Sequence, residues 1–167
     1  MKILLVHCHY RLPGGEDAVF AAERALLERR GHQVIVYERS NEEAAHGLPK
    51  ALLPLHAVWN HAAARDIKNI IKTQNIDAVH IHNTLLLLSP AVVRAAKSTG
   101  VPVVQTLHNF RLFCPNGILL RDGRVCEDCP RRGLSCAIRH RCYRGSLAQT
   151  LVVAAAYGLH RRLGTWR

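Results

Sequence analysis

The sequence is poor in aromatic residues, with 2 Trp, 4 Tyr and 3 Phe among 167, and it has no apolar run long enough to cross a membrane. Its longest apolar stretch, Leu151 to Leu159, contains Gly158 and gives way to Arg161 and Arg162, well short of the roughly 20 residues a spanning helix needs. The N-terminus has one Lys before a short aliphatic run, without the apolar core and small-residue cleavage site of a secretory signal. These absences predict a cytoplasmic protein, with peripheral contact at the inner face of the plasma membrane as its nearest approach to lipid. Internal repeats and low-complexity segments are missing too, which excludes fibrous and solenoid folds. At 49% hydrophobic the chain is globular and aliphatic. Its length suits one domain that needs no disulfide staples.

Acidic residues are scarce in one part of the chain only. Residues 108–167 hold 11 Arg against 3 acids, whereas residues 1–107 hold 12 basic and 9 acidic side chains. Most of the formal charge of +11 therefore belongs to the last third. Such a field suits an anionic partner: a nucleotide diphosphate, a lipid phosphate, an anionic membrane surface or nucleic acid. The few aromatics are not interleaved along the basic segment, which counts against nucleic acid.

Lys2 to Cys8 is a compact aliphatic run, followed by breakers and then by AVFAAERALLERRGH with apolar residues at helical spacing. This predicts a strand, a glycine loop and a helix that Gly31 stops. Gln33 to Glu38 predicts a second strand. Residues 39–58 are irregular, with Pro49 and Pro54 and room for a short helix. A helix over Asn60 to Gln74 with Ala62, Ala63, Ile67, Ile70 and Ile71 on one face leads into a strand over Asp77 to His82. Ser89-Pro90 opens a helix that Gly100 ends, and Val101 to His108 forms the fourth strand. Strands alternating with helices imply βαβ units and a doubly wound, Rossmann-like parallel sheet. Beyond His108 comes a Cys- and Arg-rich loop over 109–145. A final helix, Ser146 to Leu163, is expected to pack Leu147, Leu151, Ala154, Ala155, Leu159 and Leu163 inward. A basic amphipathic membrane contact is the alternative use of that face.

Ligands of open parallel sheets bind beyond the carboxyl ends of the strands. Three of the four predicted strands end there in histidine: His7 and His9, His80 and His82, and His108. His108 is the catalytic candidate, because it closes the fourth strand and is followed by Asn109, Arg111 and a loop. Pro13-Gly14-Gly15-Glu16 lies between the first strand and helix, where glycines let backbone N–H groups approach a phosphate at a helix N-terminus. It is neither GxGxxG nor a P-loop, and an ordinary tight turn is the plain alternative. Cys126 and Cys129 form a C-x-x-C, with Cys114 before and Cys136 and Cys142 after it. A structural zinc, scattered reduced thiols and a redox or disulfide role are all open readings. Cys136 could replace any one of the four ligands, and four thiolates would leave no open position for catalysis.

KILLVHCHYRLPGGEDAVFAAERALLERRGHQVIVY, DAVHIHNTLLLLSP, VPVVQTLHNFRLFCPNGILLRDGRVCEDC and the closing HRCYRGS and LHRRLGTWR segments together resemble the N-terminal domain of a family 4 glycosyltransferase. The resemblance implies half of a GT-B architecture, spanning residues 1–167, with the C-terminal donor domain absent. It implies a retaining transfer, of hexosyltransferase type, from a nucleotide-sugar donor to a glycan or lipid-linked acceptor. The setting would be bacterial-type polysaccharide or glycolipid assembly, with no catalytic metal and no activity in the fragment alone. Gly14 and Gly15 match the glycine loop near the donor diphosphate, and His108 matches the histidine that lines the cleft near the transferred sugar. Asn83 is placed as an acceptor contact, and Glu16, Asn109 and Arg111 as further substrate contacts by position. Cys114, Cys126, Cys129 and Cys142 match the recurrent cysteines of one branch, which leaves Cys136 over. Two other functions stay open: a stand-alone module binding an anionic glycan or lipid phosphate, and a zinc-stabilised nucleic-acid module.

Overall fold

The aliphatic run at the N-terminus forms β1 (Lys2–His9), and the expected alternation of strand and helix follows it in a computed structural model that describes residues 1–12, 14–42 and 52–167. Pro13 and Pro49, named above, lie outside the described residues. The chain divides into two compact units, Met1–His108 and Asn109–Arg167, where the sequence predicts one domain with a long loop. The boundary falls where the strand and helix periodicity gives way to the Cys- and Arg-rich segment.

In the first unit, α1 (Gly15–Arg29) leads to β2 (Gln33–Ser40), then α2 (Leu53–Val58), α3 (His61–Gln74), β3 (Ala78–Ile81), α4 (Ala91–Lys97) and β4 (Val103–Gln105). The four strands are parallel in the order β2-β1-β3-β4. This is the predicted Rossmann-like, doubly wound α/β fold. The chain steps from β1 outward to β2 and then back across to β3, so the order reverses between β1 and β3. That reversal leaves a crevice at the carboxyl ends of these two strands.

Strand alternation sorts the side chains into two faces. Ile3 and Leu5 form one core cluster with Phe20 of α1, flanked by Leu27, Val34 and Val36. Leu4, Val6, Cys8, Val79 and Ile81 point to the other face and are fully buried. The apolar stripe of α3 buries Ala63, Ile67 and Ile71, while Ala62, expected on that stripe, is exposed. Asn60 caps α3 by accepting from the Ala63 N–H at 3.0 Å. Gly31, at φ 78°, supplies the left-handed residue that ends α1. The fourth strand is shorter than predicted. Its partner β3 ends at Ile81, paired with Gln105, so no strand remains for Leu107 and His108 to pair with.

The second unit is not a featureless loop. It holds an antiparallel hairpin, β5 (Leu120–Arg121) with β6 (Arg124–Val125), then α5 (Asp128–Arg132), α6 (Ser135–Arg139) and α7 (Leu147–Arg162). Asp122-Gly123 makes the hairpin turn with both residues at positive φ, 52° and 73°, as a two-residue turn of this kind requires. Ser146 caps α7 through the Gln149 N–H at 3.3 Å, and Tyr157 stacks on Trp166. The packing of α7 corrects the sequence expectation. Thr150, Val153, Ala154, Ala156, Tyr157 and His160 are buried, whereas Leu147, Leu151, Ala155, Leu159 and Leu163 are exposed. The helix has apolar residues on both sides, and hydrophobicity alone does not say which side is covered.

Candidate active site

The convergence of histidines is realised at the crevice between β1 and β3. His7 and His9 alternate onto the face of β1 that carries Leu5. The register pairs Leu5 with His80, so His80 and His82 stand on that same face of the sheet. Thr106 and His108 follow β4 on the same side. His82 Nδ1 lies 3.0 Å from His108 Nε2, and His80 Nε2 lies 2.8 Å from the Thr106 hydroxyl. Phe20 fills the space between the pairs, stacked on His7 at 4.7 Å and edge-on to His82 at 5.2 Å. His108 therefore reaches the site although it lies beyond its strand.

Two acidic residues of α1 were not anticipated from sequence. Asp17 serves the β1 pair: its Oδ1 is 3.0 Å from His7 Nε2 and 2.7 Å from His9 Nδ1. Its Oδ2 accepts the Gly14 N–H at 2.7 Å, the reach of an N3 carboxylate back to the N-cap of its own helix. Glu23 faces the β3 pair. Asp17, Phe20 and Glu23 recur at three-residue spacing, which places them on one helical side, and that spacing is the signal that could have found them.

Burial pushes the pKa of His7 down, against the opposing pull of Asp17. His80 is lowered in the same way by burial, against Glu23. His82 falls to about 3, through burial first and then through His80, His108 and His7. His9 behaves oppositely: burial disfavours its charge, but hydrogen bonds to Glu38 and Asp17 outweigh that, and its pKa rises. The crevice thus favours neutral imidazoles at His80 and His82 on the β3 side, while the two carboxylates beside His9 favour its charged form on the β1 side.

The other predicted contacts fare differently. Gly14 has extended backbone, φ −138°, and its N–H is taken by Asp17. Among the described residues, and apart from its chain neighbours and the backbone of its own helix turn, nothing comes within 4 Å of a Cβ built on Gly15, so the space beside the first turn of α1 is open. Glu16 sits in that first turn. Asn83 turns inward: its Nδ2 donates to the Cys8 carbonyl at 2.7 Å, and its Oδ1 accepts from the Leu85 N–H at 3.1 Å. It braces the buried segment after β3, together with Asn41, which donates to the Leu85 carbonyl, and Asn60, which donates to the Leu87 carbonyl. In this structure the Asn83 amide is spent on bracing the backbone. Replacing Asn83 with Ala should cost about 2–3 kcal/mol, because two buried backbone groups lose their partner. Chemical denaturation measures this, and a change below about 0.5 kcal/mol would contradict the role.

Asn109 and Arg111 belong to the second unit, where Asn109 Oδ1 accepts the Arg111 N–H at 3.0 Å. Cys114, Cys126, Cys129 and Cys142 are there also, and none of the six cysteines is in a disulfide. Burial pushes the Cys129 thiol up to about 11, with Cys114, Cys136 and Cys142 acting in the same direction. Soft thiolates at neighbouring positions are the chemistry zinc takes, and a closed shell would hold the sulfurs about 3.8 Å apart. Among the described residues no three cysteine sulfurs lie within 4.8 Å of one another. As placed, the thiols are wider apart than such a shell.

Residues 14–127 match the model of Glycosyltransferase Family 4. That match covers more than half of the chain, from the glycine loop through His80, His82 and His108. The chain belongs to glycosyltransferase family 4. Cys129 and Cys142 fall outside the matched residues of this family 4 chain, as do His7 and His9. A relative is the phosphatidylinositol N-acetylglucosaminyltransferase gpi3 subunit of Schizosaccharomyces pombe, 26% identical over 122 residues. The match takes in 65% of this chain and 26% of that protein, so the chain spans about a quarter of the relative. No solved structure matches the family 4 chain.

Proposed function

We propose that this family 4 chain is the acceptor-side half of a retaining glycosyltransferase, and that transfer requires it to be joined to a donor-binding half. The single observation that carries the reading is the histidine crevice at the β1/β3 reversal, whose His80, His82 and His108 lie inside the segment that matches the family. In this reading the nucleotide-sugar diphosphate lies beside Gly14 and Gly15. His108 faces the transferred sugar. The departing diphosphate and the oxocarbenium-like sugar need donors and dipoles already aimed at them. The open first turn of α1 and the neutral imidazoles of the crevice supply that.

Two observations favour an acceptor carried on lipid. The yeast relative's printed name couples N-acetylglucosaminyl transfer to phosphatidylinositol. The apolar stripe of α7 is exposed and ends in Arg161 and Arg162, as a helix lying on an anionic membrane surface would be. Among the described residues no helix is long and apolar enough to cross a membrane.

Gly15→Ala tests the diphosphate placement. The added methyl enters open space, so the melting temperature should stay within a few degrees of the parent. Transfer by the complete two-half protein should fall about tenfold or more, because the methyl intrudes where the phosphate approaches. Normal transfer by this variant would remove the loop from the donor site.

A further inference from the structure

Glu23, His80 and His82 face one another beside the crevice, on the side away from Asp17. The Oε2 of Glu23 lies 3.5 Å from His80 Nε2 and 3.1 Å from His82 Nε2. Both Glu23 Oε2 and His82 Nε2 are buried, and among the described residues neither has a hydrogen-bond partner. The Nδ1 of His82 is engaged with His108 at 3.0 Å, so Nε2 is the nitrogen turned toward the carboxylate. Two buried polar atoms pressed together without a hydrogen bond are costly unless something lies between them. The neighbouring group of His7, His9 and Asp17 is equally close. There, however, each contact is a hydrogen bond, and Asp17 is satisfied on both oxygens.

We propose that Glu23, His80 and His82 form a binding site for a divalent transition metal, zinc by its donor set. Nitrogen and oxygen ligands about 2.0–2.2 Å from a tetrahedral zinc stand roughly 3.3–3.5 Å apart. The Glu23 separations of 3.1 and 3.5 Å are close to this, and the three donor atoms all lie within 4.8 Å of one another. Two imidazoles with a single carboxylate suit zinc, whereas magnesium and calcium prefer oxygen ligands. Three protein ligands leave the fourth position for water or for an oxygen of a bound ligand. His80 Nε2 also lies 2.8 Å from the Thr106 hydroxyl, which must turn its hydrogen away when the metal binds. His108 becomes the outer partner of a metal ligand, receiving the Nδ1–H of His82 and fixing the orientation of that ring. The proposal stands apart from glycosyl transfer and needs no thiol.

The test is titration of the chelator-stripped full chain with zinc chloride by calorimetry and with cobalt(II) by visible absorption. We expect one equivalent bound with the visible d–d bands of four-coordinate cobalt and no thiolate charge-transfer band at that site. Glu23→Gln and His80→Gln should each weaken this binding about tenfold or more, while Cys126→Ser leaves it unchanged and magnesium chloride does not compete. Thermal melts establish which variants are folded. Both substituted side chains are partly exposed, and either folded variant carries the test. Binding unchanged in a folded variant, or metal held through thiolates alone, would overturn the proposal.

Discussion

In the complete two-half protein, His108→Ala is expected to lower turnover about 10²–10³-fold, the usual effect of removing one donor aimed at developing charge. The fold should barely notice. His108 is half-buried, lies beyond the end of β4, and makes its recorded side-chain hydrogen bond with His82 at 3.0 Å. Losing that bond costs about 1 kcal/mol, so denaturation should shift by less than about 2 kcal/mol. Steady-state transfer assays with parallel urea melts separate the two quantities. A loss of activity no larger than the loss of folded protein would reduce His108 to a packing residue. Near-normal turnover would take it out of the reaction altogether.

Asp17→Ala should have the largest effect on stability, about 2–4 kcal/mol. The carboxylate caps the first turn of α1 through Gly14, a role worth about 1 kcal/mol. Its removal also leaves the ring N–H of fully buried His7 without a partner, at about 1–3 kcal/mol. The loss carries a pH signature with two edges. Burial alone would raise the Asp17 pKa, but hydrogen bonds from His7, Gly14 and His9 outweigh it and hold the carboxyl below its ordinary 3.8. The stability Asp17 contributes through its charge is therefore present above 3.8 and disappears as pH falls through its lowered value. His9 is raised above its ordinary 6.5. Its share is full below 6.5 and fades as pH rises through the raised value. The gap between the parent and Asp17→Ala should thus be widest between these edges and narrow on both sides. Urea melts across that range check it, and a gap independent of pH would mean that Asp17 acts only as a cap.

Most of the first unit could be read from periodicity. The aliphatic runs of β1 and β2, the 3.6-residue stripe of α3 and the stop at Gly31 each leave a local mark, and the structure follows them. The gathering of His7, His9, His80, His82 and His108 was legible because strand alternation and the carboxyl-end rule act together. Asp17 and Glu23 were not, because an acid in the first turn, as Asp17 is, also serves the helix dipole, and one in the middle of a surface helix, as Glu23 is, also serves solvation. Only the fold shows which of them turns inward. Asn83 illustrates the converse: a polar residue at a strand end looks like a ligand contact until its amide is seen holding the Cys8 and Leu85 backbone. The exposed leucines of α7 and the short helices within the Cys-rich segment escaped for a related reason. Which apolar face is covered, and how a segment with little periodicity folds, depend on partners distant in sequence.

The measurement that bears most directly on the account is a crystal structure of the complete two-half protein with a nucleotide sugar and an acceptor analogue. The account predicts the diphosphate beside Gly14 and Gly15 and the sugar ring against His108, at the carboxyl ends of β1 and β3. A sugar bound away from this crevice, with His82 and His108 untouched by ligand, would contradict it.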